Sequence, residues 1–381
     1  MRGRRLLGVF AHPDDETFCA GGTLARYADM GCQAMVVSAT RGEAGQIRDA
    51  TRATRRTLAA VREKELEAAC AALGVGHVRC LDYRDGTLAD ADGAELRSAV
   101  LAVVAEFTPD VVITFGDDGA YGHPDHTTIS QVTTDAFFRA AAELDRPPAR
   151  LYHSHFPRSR LLLRDRLARW LVELNARFKG SEDFGQALSL FAEETTTMRY
   201  ANDFIDVNWF PPGVTIVEQG EPASSLYLVL SGQVDVVQEA EDGTQQWLAR
   251  LGPGEFFGEL AIVRGGVRNA NVVAVDAVTC LVLSPSAPTA FAGRGTDARY
   301  LATAAATAAG GTGDGGPPAA ATTAIDVSGY VDRKVGALAA HRTQFPIDHG
   351  MFPESMLRDM FGIEYFLRVH PPVEPESDLL P

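Results

Sequence analysis

Two short stretches rich in acids and histidine carry the residue types with which proteins bind a divalent cation. His12, Asp14, Asp15 and Glu16 directly follow the apolar run LLGVFA. GDDGAYGHPDHTT, at residues 116–128, follows a second apolar run, DVVITF. Two histidine nitrogens and one carboxylate oxygen are a familiar catalytic zinc set that leaves the fourth position open for water. We therefore predict a metal site with three side-chain ligands, His12, Asp15 and His126.

The remaining acids of the first stretch have other predicted roles. Asp14 stands beside a predicted ligand, where a carboxylate can accept a proton from the attacking water, so we predict that it is the general base. Glu16 fits an N-cap partner of the following helix better than a ligand. Taken singly, His-Pro and Asp-Asp pairs are usually turn residues. Two such stretches, each directly after a predicted buried strand, favour the metal site.

The elements that must position these residues alternate between strand and helix. LLGVFA, QAMVVSAT, HVRCLDY and DVVITFGD have the apolar pattern of buried strands. GGTLARYADMG, residues 55–73 and AELRSAVLAVVAEF have helical patterns. This alternation predicts an α/β fold, a parallel sheet with helices on both faces. Ligands of such sheets collect beyond the carboxyl ends of the strands, so both acidic stretches should face one cleft.

The pattern changes further along the chain. From about residue 203, short alternating runs broken by Gly, Pro and Asp-Gly predict an antiparallel β domain. A stretch of Ala, Gly, Thr and Pro then has the composition of a flexible linker. AIDVSGYVDRKVGALAAHRTQF is predicted to be helical again, and PPVEPESDLLP to be a loose tail. The predicted segments are 1–200, 203–292, 293–323 and 324–381.

Bulk composition excludes several classes of protein. The 381 residues carry a net charge of −15, which disfavours nucleic acid and anionic membrane surfaces as partners. No run of about 18 apolar residues indicates a transmembrane helix. The five cysteines are odd in number and lack C-x-x-C spacing, so neither a zinc knuckle nor a disulfide framework is indicated. We predict a cytoplasmic protein.

Three motifs of the first part of the chain resemble one enzyme family. AHPDDE at 11–16, TRGEAG at 40–45 and YGHPDH at 121–126 are similar to motifs of the LmbE-like or PIG-L-type zinc-dependent N-deacetylases. The resemblance continues more weakly over residues 330–345. It implies a Rossmann-like fold and removal of an acyl group, usually acetyl, from the amide of an amino sugar. It also implies Zn²⁺ as cofactor, although a His₂Asp site could accept Fe²⁺, Co²⁺ or Mn²⁺.

The same resemblance implies roles for residues of the second stretch. Tyr121 would donate a hydrogen bond to the developing oxyanion. His123 would act as general acid or electrostatic stabiliser, and Asp125 would orient a histidine. The resemblance also implies His12, Asp15 and His126 as metal ligands and Asp14 as general base, the same four residues that were predicted above.

Three further positions match the family's sugar-binding residues: Glu43, Arg62 and Asp85. The evidence for each of these three is weaker than for the residues named above, and two of them have an alternative interpretation. Arg62 lies within a predicted helix, where it could pair with Glu65 one turn on. Asp85, in YRDG, could be a turn residue.

The β-rich segment resembles a cyclic-nucleotide-binding domain of the kind found in cAMP receptors and protein kinase regulatory subunits. The signal centres on FGELA at 257–261, with Arg268 following. The resemblance implies a β-roll in which Arg268 binds the cyclic phosphate and Glu259 the ribose 2′-hydroxyl of cAMP or cGMP. Val267-Arg268-Asn269 departs from the family's usual Pro-Arg-Ala. The implied nucleotide-binding residues are Gly258, Glu259, Leu260, Ala261, Arg268 and Asn269.

The order of these patterns predicts an insertion. A deacetylase domain would begin at 1–200 and finish at 324–381, with the nucleotide domain at 203–292 between its two parts. We predict a metal-dependent N-deacetylase of N-acetylated amino-sugar conjugates that is modulated by cyclic nucleotide. Two alternatives stay open: a nucleotide sensor on a catalytically silent metal-binding scaffold, and a β-roll that serves only for docking or oligomerisation. The sequence leaves the acyl group, the sugar, the aglycone and the oligomeric state open.

Overall fold

The computed structural model describes most of the chain, in two compact units. One unit lies within Met1–Arg160 and Gly295–Pro381, and the other within Leu161–Arg294. Residues 293–320 of the predicted linker lie outside the described residues. The predicted domain boundaries stay predictions. The described residues are 3–49, 51–155, 205–222, 225–240, 242–258, 267–283, 321–347, 351–352, 354–372 and 377–380.

The elements are numbered in chain order. The strands are β1 Arg5–Phe10, β2 Gln33–Thr40, β3 His77–Tyr83, β4 Val111–Phe115, β5 Arg150–His155, β6 Ile205–Phe210, β7 Thr215–Val217, β8 Leu226–Ser231, β9 Val234–Glu239, β10 Gln245–Leu251, β11 Phe256–Phe257, β12 Asn271–Ala274, β13 Val278–Leu283, β14 Thr323–Asp326 and β15 Ile363–His370. The α-helices are α1 Asp15–Asp29, α2 Leu58–Leu73, α3 Gly93–Phe107, α4 Gly119–Gly122, α5 Pro124–Glu143, α6 Val331–Ala340 and α7 Glu354–Phe361. Short 3₁₀ turns cover Leu88–Asp90 and Ser328–Tyr330.

The first unit is built on a seven-stranded sheet with the order β14-β15-β5-β4-β1-β2-β3. Strands β1 to β5 run parallel, while β15 is antiparallel to both β5 and β14. Helices α1, α2 and α6 pack against one another, and α3 packs against α5. This mostly parallel sheet with helices confirms the predicted α/β class. From β1 the chain runs outward through β2 and β3, then crosses to β4, so the strand order reverses between β1 and β4.

The central strands are buried because their sequences are mostly apolar. Every residue of β4, VVITF, is buried, as is nearly all of β1 and β2. Helix α1 begins at Asp15, six residues before the predicted start at Gly21. The acidic motif had suggested a loop, but acids are favourable in the first turn of a helix.

The predicted helical segment from Ala324 onward is wrong in its first part. Residues Thr323–Asp326 form β14, and the helix begins only at Val331. The predicted loose tail is also wrong where the structure describes it. Leu379 is fully buried, its carbonyl accepts a hydrogen bond from the Tyr152 hydroxyl at 3.1 Å, and its N–H donates to the Tyr27 hydroxyl at 2.7 Å. Leu380 is also buried, and Asp378 accepts hydrogen bonds from Arg26 and Tyr27, so apolar and polar contacts together anchor this end of the tail.

The second unit consists of two antiparallel four-stranded sheets, β10-β9-β12-β7 and β11-β8-β13-β6. Their inward-facing side chains form a separate core that includes Val229, Val234 and Cys280. The predicted antiparallel β pattern is therefore confirmed. Among the helices that the structure describes, none is long and apolar enough to cross a membrane.

Candidate active site

The two acidic stretches meet at the point where the strand order reverses. His12 follows the end of β1, and Asp15 is the first residue of α1. His126 lies in the first turn of α5, whose start is fixed by Pro124 at its first position. Because β1 and β4 are neighbouring parallel strands, the segments that leave their carboxyl ends lie beside each other.

The three predicted ligands place their donor atoms around one point. His12 Nδ1 lies 3.2 Å from His126 Nε2, and the two oxygens of Asp15 lie 3.3 Å from these same nitrogens. The His12 backbone N–H donates to Asp15 Oδ2 at 2.8 Å, which fixes the carboxylate. All three side chains are buried. Two imidazole nitrogens and a carboxylate in this arrangement suit a divalent transition-metal ion.

The state of His126 also suits a metal ligand. Its Nδ1 lies 3.1 Å from the Gly119 carbonyl, which favours a proton on Nδ1 and leaves the Nε2 lone pair for a ligand. Burial lowers the pKa of His126 to about 3, so the ring is neutral near pH 7. Phe115 stacks on the ring with centroids 4.1 Å apart and fixes its plane.

His12 lies among three carboxylates. Its Nε2 is 3.0 Å from Asp85 Oδ1 and 3.3 Å from Asp125 Oδ2, and its Nδ1 faces Asp15. Burial lowers the pKa of His12, but these carboxylates outweigh burial and raise it well above its usual value. So much negative charge in a buried site calls for a positive charge, which a divalent cation can supply in place of the proton.

Among the described residues, two groups in the same place bring three ligand atoms within 4.8 Å of one another, and neither includes Asp15. One is His12 with His123 and His126, and the other is His12 with Asp85 and Asp125. The structure thus shows a buried histidine and aspartate group that fits a metal ion. It leaves the choice of Asp15 as third ligand a prediction.

Asp14 lies beside this group in a strained backbone conformation. Its φ is 110°, a value that residues other than glycine rarely adopt. Its backbone N–H donates to Glu16 Oε2 at 2.9 Å, so Glu16 partners the N-cap residue of α1 as predicted from the sequence. Burial is the main reason that the pKa of Asp14 rises to about 7, although the Arg62 guanidinium opposes it.

Arg62 of α2 reaches across to this loop. Its guanidinium donates to Asp14 Oδ2 at 3.0 Å, to the Gly42 carbonyl at 2.8 Å and to the Pro13 carbonyl. Glu65, the alternative partner, instead accepts two hydrogen bonds from Thr343. The guanidinium can approach the loop this closely because position 42 is glycine. Its φ is +68°, and a Cβ there would stand 2.2 Å from an Arg62 nitrogen.

We expect Arg62→Gln to lower kcat by about 10- to 100-fold, because Asp14 loses the group that holds its carboxylate. Arg62→Lys should restore little of that loss, since one ammonium cannot reach three acceptors arranged for a planar guanidinium. Steady-state kinetics measures both variants, with Arg79→Gln, an exposed arginine paired with Glu106, as the matched control. Wild-type kcat in Arg62→Lys would contradict this role.

The other residues implied by the family resemblance lie around the same group. Asp85 is buried and contacts His12, and its backbone N–H donates to Glu43 Oε1 at 3.0 Å. Asp125 accepts hydrogen bonds from the Gly86 and Leu88 N–H groups while its Oδ2 faces His12. Asp85 is therefore more than a turn residue. The Tyr121 side chain lies outside the part of the chain that the structure describes.

His123 caps the helix that carries His126. Its Nδ1 accepts a hydrogen bond from the Asp125 backbone N–H at 3.2 Å, which places the proton of the neutral ring on Nε2. Burial lowers the pKa of His123, so this neutral form prevails near pH 7. The helix cap thus selects a tautomer with an Nε2–H donor.

One residue near the site was not predicted from the sequence. His341, at the end of α6, places its Nε2 2.9 Å from Glu16 Oε1, and both side chains are fully buried. Burial lowers the pKa of His341, but the charge of Glu16 outweighs it and raises that pKa. Only the weak resemblance of residues 330–345 pointed towards this segment.

In the second unit, two of the predicted nucleotide-binding residues lie together. Arg268 is buried and donates to the carbonyls of Gly258 and Ser225 at 2.8 and 2.7 Å. Its guanidinium stands 5.9 Å from the Tyr227 ring centroid. Asn269 is exposed. Three predicted residues lie outside the described part of the chain, Glu259, Leu260 and Ala261.

Comparison with known proteins identifies both units. The sequence profile of the PIG-L family, described as GlcNAc-PI de-N-acetylase, matches residues 7–137, which span the strands and helices that carry the site. Residues 7–137 form a PIG-L-family domain. The cyclic nucleotide-binding profile matches residues 207–292. This second segment is a cyclic nucleotide-binding domain.

Curated relatives of the PIG-L domain share one name, 1D-myo-inositol 2-acetamido-2-deoxy-alpha-D-glucopyranoside deacetylase. The protein from Thermobifida fusca is 42% identical over 164 residues, which cover 37% of this chain and 57% of the relative. That from Rhodococcus jostii is 40% identical over 157 residues, 36% of this chain and 54% of the relative. The chain therefore matches little more than half the length of these relatives.

Among solved structures, N,N'-diacetylchitobiose deacetylase from Pyrococcus horikoshii is 24% identical in sequence. The matched region covers 41% of this chain and 61% of the deacetylase chain. The TM-score is 0.36, which is too low to support a conclusion. The assignment of the PIG-L domain rests on the sequence profile and on the buried site. It does not depend on this structural likeness.

Proposed function

We propose that the protein is a metal-dependent hydrolase that removes an acetyl group from the amide nitrogen of an N-acetylated amino-sugar conjugate. The observation that carries the proposal is the placement of Asp14. Its carboxylate is held by Arg62 beside a buried group of two histidines and one carboxylate. A silent scaffold would have no use for a base maintained in a strained backbone at that point.

The ligand assignment proposed here is His12, Asp15 and His126, with Zn²⁺ as the ion and Fe²⁺, Co²⁺ or Mn²⁺ as alternatives. When bound, the ion supplies Lewis-acid polarisation of the substrate carbonyl. Asp14, with its pKa near 7, accepts the proton of the attacking water. A base whose pKa lies near the working pH is efficient in proton transfer.

Other side chains complete the proposed reaction. The Nε2–H of the neutral His123 ring donates a hydrogen bond to the developing oxyanion, the stabilising role of the two that the family resemblance implies. The departing amine takes up the proton that Asp14 removed from the water. Asp125 holds His12 through Nε2. Tyr121 is the proposed second oxyanion donor, by its place in YGHPDH.

The substrate proposal rests on the relatives. Their name specifies an acetamido sugar joined to myo-inositol, and the family description specifies a GlcNAc conjugate. Asp85, Glu43 and Arg62 are the proposed sugar-binding residues. Because Asp85 and Arg62 also contact His12 and Asp14, a sugar bound to them would lie against the reacting groups.

The test is release of free amine from a panel of N-acetylglucosamine conjugates, including the myo-inositol conjugate. Zinc-loaded protein should turn over at least one conjugate, and removal of the metal by a chelator should abolish turnover until Zn²⁺ is restored. Absence of turnover on every conjugate by protein with a measured bound metal would refute the amino-sugar proposal.

We also propose that cyclic nucleotide modulates this activity. Arg268 is buried in a cyclic nucleotide-binding domain, and the chain of the catalytic unit passes through that domain between β5 and β14. Modulation requires that the nucleotide bind one conformation of the protein better than another. Saturating cAMP or cGMP should therefore change kcat/KM, and unchanged kinetics at saturation would refute modulation.

Nucleotide binding itself is tested by calorimetry. We expect Arg268→Ala to weaken cAMP binding by about 10- to 100-fold or more, because charge-assisted bonds to phosphate are lost. Arg250→Ala, which removes an exposed arginine paired with Asp235 in the same domain, should leave affinity unchanged. If both variants bound cAMP as wild type does, Arg268 would not be the phosphate ligand.

A further inference from the structure

We propose that the buried pair Glu16–His341 is a positioning unit for Asp14, supplied by the chain segment that follows the nucleotide-binding domain. The inference rests on the proposed hydrolase function, because Asp14 is the base in that reaction. It concerns two residues that bind neither substrate nor metal in the proposal.

The contact chain is short and direct. Glu16 Oε2 accepts the Asp14 N–H at 2.9 Å, while Glu16 Oε1 lies 2.9 Å from His341 Nε2 and accepts the Thr17 hydroxyl at 2.5 Å. Each carboxylate oxygen of Glu16 therefore has a partner. The oxygen that faces Asp14 is held in place by the partners of the other oxygen.

The backbone of Asp14 needs such support. A φ of 110° is strained for a residue other than glycine and persists only where the surroundings fix it. Glu16 holds the amide side of this residue, and Arg62 holds its carboxylate. Loss of the amide contact would allow the backbone to relax and would move the carboxylate away from the metal-binding group.

His341 is costly to retain for stability alone. Its side chain is fully buried, and its Nδ1 has no hydrogen-bond partner among the residues that the structure describes. Replacing a buried polar pair by apolar side chains is often neutral or stabilising. A buried histidine with one unpaired nitrogen therefore suggests a role other than stabilising the fold. Holding the Glu16 carboxylate in place is such a role.

The chain segment around His341 is anchored to helices α1 and α2. Lys334 Nζ lies 2.5 Å from Glu364 Oε1 and donates to the Phe18 carbonyl of α1 at 3.0 Å. Thr343 donates twice to Glu65 of α2, the helix that carries Arg62. The segment that presents His341 is thus fixed against both helices that hold Asp14.

The test compares His341→Leu with His341→Gln in the full-length, zinc-loaded protein. We expect His341→Leu to lower kcat by about 10- to 100-fold with little change in KM or bound metal, as for other residues that orient catalytic groups. His341→Gln keeps an N–H donor for Glu16 and should recover most of the activity. The matched control is Tyr27→Phe, which removes hydrogen bonds to Asp378 and Leu379 away from the site and should lower Tm while leaving kcat intact.

A structural measurement separates this inference from the proposed function. In a crystal structure of His341→Leu, Glu16 should leave the Asp14 N–H and φ of Asp14 should move out of the positive region. Retention of that φ and of the Arg62 contact would overturn the inference, as would wild-type kcat in His341→Leu. If the wild type itself proved inactive, the hydrolase proposal would fail, and the crystal structure alone would decide the positioning role.

Discussion

Asp14→Asn is expected to lower kcat by about 10²–10⁴-fold, the range typical for loss of a general base. Asparagine has the same shape, can still accept from Arg62 through its Oδ1, and keeps the backbone N–H that donates to Glu16. What it lacks is basicity. The expected loss corresponds to about 3–5 kcal/mol of transition-state stabilisation. Steady-state kinetics and metal analysis on the same sample measure it.

The control for this prediction is Asp82→Asn. Asp82 is an exposed aspartate that pairs with Arg41 on the surface, and its loss should leave kcat unchanged. Bound metal should be equal in both variants and in the wild type. Asp14→Asn with wild-type kcat would remove Asp14 from the mechanism, while loss of metal in that variant would instead make Asp14 a ligand.

The second large effect is expected from the metal site. His126→Ala should lose both bound metal and turnover, because it removes one of the two imidazole nitrogens that converge with Asp15. Elemental analysis should find one metal ion per chain in the wild type. His77→Ala, which removes an exposed histidine on β3, should retain metal and activity.

The same measurement distinguishes the possible ligand sets. Asp15→Asn should lose the metal if His12, Asp15 and His126 are the ligands. Retention of metal in Asp15→Asn with its loss in Asp85→Asn would favour the alternative group of His12, Asp85 and Asp125. Full metal content in His126→Ala would contradict the proposed site.

Much of the first unit could be predicted because its strands are short apolar runs bounded by polar residues. The bounds of β2 and β3 coincide with the predicted runs QAMVVSAT and HVRCLDY. The convergence of His12 with His126 follows from the rule that neighbouring parallel strands end at one edge. The chemistry could be predicted because a His-and-Asp pattern recurs after two such strands.

Features that depend on distant parts of the chain could not be predicted in this way. Glu16 and His341 are 325 positions apart, and no local pattern links them. Strand β15 pairs antiparallel with β5, which precedes the second unit, and β14 pairs with β15, so both strands depend on partners that are distant in the sequence. Local sequence determines a strand's apolar face but not its neighbour.

Arg62 illustrates an intermediate case. Its position in a helix made pairing with Glu65 a reasonable alternative. The structure differs because Gly42, with no Cβ, lets the guanidinium reach the loop after β1, and because Glu65 is occupied by Thr343. Both reasons involve tertiary neighbours rather than the helix itself.

The most direct test of the central proposal is to follow acetate and free amine together during incubation of the zinc-loaded protein with the N-acetylglucosaminyl-inositol conjugate. Cleavage of the amide C–N bond releases the two products in equal amounts. We predict equimolar acetate and amine from the wild type and neither from Asp14→Asn. Metal-loaded protein that releases neither product from this conjugate or from related amino-sugar amides would contradict the account.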